Sequence, residues 1–161
     1  MATRLEKALA DHGFDLTPVF DGNWLAGRAI LHPVAVSLRL NADESITLRI
    51  GDADLYAALA REGVVATREG GAQSWDFQCP DYQAFYHALG RYAALARSLP
   101  NRVANRFTAA TTKLPTTTEA ERLVVQRIGQ NLFREALIDF WQGRCAVTGL
   151  DVVPLLRASH I

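Results

Sequence analysis

The chain has 161 residues, of which 49% are apolar, and its 17 basic side chains are matched by 17 acidic ones. That length supports one substantial core and a small second module, and the balanced charge excludes a global field holding the molecule on nucleic acid or an anionic membrane. No apolar run approaches a membrane span and the N-terminus lacks an apolar signal-like core, so a cytoplasmic protein with no membrane partner is expected.

Thr3 and Glu6 have the form of a capping box ahead of an apolar stripe of Leu5, Ala8 and Leu9, and Gly13 is a natural stop, which predicts a short first helix. Apolar clusters between Phe14 and Leu31 flank Asp21-Gly22-Asn23, whose turn chemistry predicts two strands joined tightly. Val34, Val36, Leu38 and Leu40 alternate with smaller or polar residues, as do Ile46, Leu48 and Ile50, so an antiparallel hairpin closed by Asn41–Glu44 is expected. A helix from Asp52 to Glu62 follows, ended by Gly63, then a strand over Ser74–Gln78 with Trp75 and Phe77 on one face. A longer helix begins at Asp81, carries Phe85, Leu89, Tyr92, Ala93 and Ala96 at helical spacing, and ends at Leu99-Pro100-Asn101.

These elements predict an α+β class: a small antiparallel sheet with flanking helices, spanning residues 1–107. The Ala/Thr-rich stretch 108–118 reads as a linker. From Thr118 and Glu121, a second capping-box pattern, a long helix is expected through Val124, Ile128, Leu132, Leu137, Phe140 and Trp141 to Gly143, with a kink at Gly129.

Between Tyr82 and Thr118 there is no acidic residue, while Arg91, Arg97, Arg102, Arg106 and Lys113 all fall there. A solvated helix face is one reading. Salt-dependent contact with DNA phosphates is the other, with Arg127 and Arg134 extending the patch. Trp24, Trp75, Phe77, Tyr82 and Tyr86 read as core aromatics or as a pocket that stacks a base. His12, His32 and His87 are scattered singly and read as surface or satisfied polar residues. Cys79 and Cys145 form no C-x-x-C pair, so reduced thiols in packing roles are expected. No phosphate-binding loop, dinucleotide fingerprint, H-E-x-x-H or G-x-S-x-G pattern occurs.

The last quarter of the chain carries a different kind of signal. Arg127-Ile128-Gly129-Gln130, Phe133-Arg134, Arg144-Cys145-Ala146-Val147-Thr148-Gly149 and Leu155-Leu156-Arg157-Ala158-Ser159-His160-Ile161 occur in order. Together they resemble the leading part of an HNH endonuclease domain of the restriction-enzyme type, over residues 119–161. The resemblance implies a ββα-metal fold, a divalent cation such as Mg²⁺ or Mn²⁺ in the full-length parent, DNA as partner, and His160 as the catalytic histidine that polarises a water for attack on phosphorus. It further implies an asparagine and a final histidine beyond His160.

Because the chain stops at Ile161, the module is expected to be incomplete, to hold no metal here, and to be inactive as this chain. An unpaired C-terminal strand would then favour a homodimer. Restriction or defence against foreign DNA is the role the resemblance implies for the parent. The alternative is a non-enzymatic DNA-binding or regulatory module with a vestigial HNH segment.

Overall fold

A computed structural model of the protein describes residues 2–30, 34–63, 68–71 and 73–158. His32 and the segment Ser159–Ile161, and with it His160, lie outside the described residues. The described chain divides into two compact units, Met1–Ala96 and Arg97–Ile161.

The first unit is built around the strands whose apolar residues alternate. β1 (Leu16–Asp21), β2 (Trp24–Arg28), β3 (Ala35–Leu40), β4 (Ile46–Ile50), β5 (Arg68–Gly71) and β6 (Ser74–Cys79) form one six-stranded sheet in the order β1-β2-β3-β4-β6-β5. Every neighbouring pair is antiparallel. Asp21 pairs with Trp24 across a two-residue loop, and Gly22 takes φ +56° there, as the turn sequence predicts.

Register then decides which side chains share a face. Leu25, Val36, Leu38, Ile46, Leu48, Ile50, Phe77 and Cys79 are buried on one side. Against them lie α1 (Ala2–Asp11) through Leu5, Ala8 and Leu9, α2 (Ala53–Arg61) through Leu55 and Leu59, and α3 (Tyr82–Ser98) through Phe85, Leu89 and Tyr92. At Gly27 a Cβ would stand 2.4 Å from Leu9 Cδ2, so glycine is what lets α1 approach the sheet. The Tyr92 hydroxyl donates to the Ala35 carbonyl at 2.8 Å, satisfying a ring that is otherwise fully buried.

The opposite face is polar. Arg39 and Arg49 lie over the Trp24 ring at 4.6 and 4.0 Å, and Arg49 makes a two-pronged pair with Asp76 at 2.6 and 2.8 Å. Asn41 closes the β3–β4 loop by donating to Ser45 Oγ and Thr47 Oγ1, each at 2.9 Å.

Two elements depart from the sequence expectation. β5 was not anticipated, because Glu69-Gly70-Gly71 offers no apolar alternation. α4 (Pro100–Thr111) continues helical structure into the segment read as a linker. Pro100 does end α3, but it also occupies the first turn of α4, where its missing N–H costs nothing. Residues 112–118 then join α4 to α5 (Glu119–Phe140) inside the second unit. α5 continues as one helix through Gly129, where the missing side chain makes room for the Phe107 ring, 3.2 Å from where a Cβ would be.

Candidate functional site

The segment with the strongest functional signal lies wholly in the second unit and starts from α5. Its first turn is fixed by the capping box the sequence predicts: Glu121 N–H donates to Thr118 Oγ1 at 3.2 Å and Thr118 N–H to Glu121 Oε2 at 2.9 Å. Helical spacing then gives α5 three working faces. Gly129, Leu132, Phe133, Ala136 and Phe140 face α4 across an apolar groove of about 630 Å³. Glu135 and Asp139, one turn apart, take Arg106 at 3.2 Å and Arg97 at 2.9 Å. Arg134, Ile138 and Trp141 line the third face.

Beyond α5 the chain reverses through Gln142 and Gly143, at φ +55° and +71°, and Gly143 N–H caps the helix by donating to Ile138 O at 2.8 Å. A tight loop follows. Cys145 N–H donates to Leu150 O at 2.8 Å and Gly149 N–H to Cys145 O at 2.9 Å, with Gly149 at φ +71°. Thr148-Gly149 therefore turns the chain.

No strand is assigned between residues 141 and 158. Cys145 and Leu150 instead pair across the loop, and a single turn of 3-10 helix, Val153–Leu155, comes next with Pro154 inside it. Among the described residues of 119–158 no two-stranded hairpin, and so no ββα-metal arrangement, is identifiable.

Arg134 reaches across from α5 and donates to Val153 O at 3.3 Å and Leu156 O at 3.4 Å. Phe133-Arg134 and Leu155–Ala158, some twenty positions apart in sequence, are thus held together by a side chain that belongs to the resemblance. Arg134, Leu137, Ile138, Trp141, Arg144–Val147, Leu150 and Leu155–Ala158 enclose a groove of about 390 Å³. The described chain leaves it at Ala158, two positions before His160.

Cys145 is only half-buried, not the buried packing residue expected. The Thr148 side-chain hydrogen bond, then the N–H groups of Thr148 and Val147, hold its thiol below the usual range. The Thr148 N–H lies 3.5 Å from its sulfur.

The arginines read as one basic patch are dispersed. Arg91 belongs to the first unit, where it pairs with Glu62 at 2.8 Å, and the others belong to the second. Arg97 and Arg106 carry Asp139 and Glu135, and Arg134 serves carbonyls. Arg102 is half-buried on α4, while Lys113 and Arg127 are exposed.

The aromatic pocket does not form either. Trp24 lies on the polar face of the sheet. Trp75 stacks on Tyr56 at 4.5 Å, Phe77 is in the core, and Tyr82 and Tyr86 sit beside Arg4 and His12. His87 is exposed. Sequence reasoning missed Arg144 and Arg157 as members of the groove, although each lies within a quoted motif, and that membership was the available signal.

Among the described residues there is no group of three histidine, cysteine, aspartate or glutamate side chains able to hold a metal ion. The described residues therefore do not build the cation site that the resemblance implies. No family model, curated protein or solved structure matches the chain.

Proposed function

We propose that residues 119–161 are the leading part of an HNH-type nuclease module acting on DNA, with the α+β unit before it serving target recognition or regulation. The observation that carries this reading is the Arg134 link: motif residues far apart in sequence converge on one groove, whose lining includes Ala158, two positions before His160 in the sequence. In the proposed chemistry a water oxygen bonds to phosphorus while the His160 imidazole takes the proton that water releases. One phosphodiester P–O bond breaks with its electron pair leaving on the sugar oxygen, which takes a proton from solvent. Neutral imidazole is suited to this near physiological pH.

The test is cleavage of supercoiled plasmid in Mg²⁺ or Mn²⁺ by the complete encoded protein, beside its His160→Ala variant. Nicked or linear product from the parent, lost by a factor of about 10² or more in the variant, is expected for removal of a general base. DNA binding without cleavage by either protein would instead favour the non-enzymatic DNA-binding reading.

A further inference from the structure

We infer that the groove between the C-terminal end of α5 and residues 144–158 seats one strand of DNA, with Arg144 and Arg157 taking phosphates and Trp141, Val147 and Leu155 taking sugar and base. The inference deepens the nuclease reading and rests on it only for the polymer being DNA.

Charge is the first argument. Three guanidinium groups, those of Arg134, Arg144 and Arg157, line a space of about 390 Å³, and none of its described lining residues is acidic. The two nearest carboxylates on α5, Glu135 and Asp139, are engaged by Arg106 and Arg97 instead. Like charges gathered this way repel one another and raise the local potential, an arrangement that an incoming anion relieves.

Rigidity is the second. Arg144 N–H donates to Trp141 O at 3.0 Å immediately after the left-handed pair, and Cys145 is tied to Leu150, so the Arg144 backbone is fixed. Arg157 follows directly on the carbonyl that Arg134 holds at Leu156. With the backbone fixed, only the two side chains need ordering when a phosphate binds.

The third argument selects the ligand. Trp141, Val147 and Leu155 are 46%, 92% and 66% exposed, and all three line the same groove as the arginines. A surface alternating guanidinium with an indole and branched apolar groups matches a polymer that alternates phosphate with a planar base and an apolar sugar edge. An acidic peptide would satisfy the arginines but leave the indole and the aliphatic wall without a counterpart.

The 161-residue chain should be titrated into a fluorescein-labelled single-stranded 12-mer, followed by anisotropy in EDTA so that cleavage plays no part. The double variant Arg144→Ala/Arg157→Ala is expected to bind tenfold or more weakly. Its log–log salt slope should fall by roughly 1.4 for two lost phosphate contacts on a single strand. Arg122→Ala, on the far end of α5, should bind like the parent, and circular dichroism of each variant checks the fold. Arg144→Gln/Arg157→Gln supplies a second pair should the alanine pair misfold. Emission quenching on binding should disappear in Trp141→Phe.

Equal affinity of parent and double variant overturns the seat, as does absence of binding by the parent or equal binding of a polyglutamate peptide. Plasmid cleavage that depends on His160 but survives the double variant would leave the nuclease and remove the seat. Arginine-dependent binding without any cleavage would do the reverse.

Discussion

The two cysteines differ in chemistry because their surroundings differ. Burial, with the nearby Asp81 charge adding to it, pushes the Cys79 thiol up to about 11. The hydrogen bonds at Cys145 act in the opposite direction and favour its thiolate, which is the reactive form. With iodoacetamide at pH 8, Cys145 should be labelled first and Cys79 only after unfolding. Thr148→Ala should shift the Cys145 pH–rate profile upward, by removing the largest of the interactions that stabilise the anion. Equal labelling rates in the folded protein would refute this assignment.

The arginines show why a charge run in sequence was a poor guide to a site. The stretch between Tyr82 and Thr118 lacks acids, but α5 supplies Glu135 and Asp139 from outside it, so Arg97 and Arg106 were never free cations. Arg134 could be assigned to the right region from its motif. Its use as a bridge to backbone carbonyls depends on a chain reversal some ten residues later, which no local pattern encodes.

Secondary structure was legible wherever burial imposes a period. β3 and β4 alternate because one face is core, and α5 begins where the capping box indicates. α1 starts at Ala2, so Thr3 falls within its first turn and is not its cap. β5 and α4 were illegible for a shared reason: their ordering comes from neighbours. β5 pairs with β6 through backbone groups, which Glu-Gly-Gly has whatever its side chains, and α4 is stabilised by packing on α5.

The same logic separates two glycines. Gly27→Ala places a methyl 2.4 Å from Leu9 Cδ2, and Leu9 is fully buried with nowhere to go. We expect a loss of about 1–3 kcal/mol from overpacking, read as a lower urea midpoint. Gly129→Ala meets a Phe107 ring that lines an open groove and has room to yield. There the gain of about 1 kcal/mol in helix propensity should offset the contact and leave stability unchanged or raised. A Gly27→Ala protein as stable as the parent would show that α1 does not depend on this approach.

Across the molecule, burial is distributed unevenly. The first unit holds nearly all the buried apolar side chains, and the second contributes Leu99 and Ala136 to them. Leu123, Val124, Phe133 and Leu150 in the second unit remain 36 to 51% exposed. Since local stability follows buried apolar contact, the two units should open at different free energies. Amide hydrogen exchange should be slowest in β3, β4 and β6 and markedly faster through α4 and the 141–158 segment. Limited proteolysis should cut within 112–118 or 141–152 before it touches the sheet. Uniform protection along the chain would argue against this distribution.

The close approach of Phe107 to Gly129 also gives the protein an internal magnetic reporter. One α-hydrogen of Gly129 stands where a Cβ would come 3.2 Å from the ring, well inside the range of aromatic ring currents, so its proton resonance is displaced whenever α4 is seated on α5. A single displaced glycine signal thus registers the pairing of these two helices in solution, without a label or a mutation.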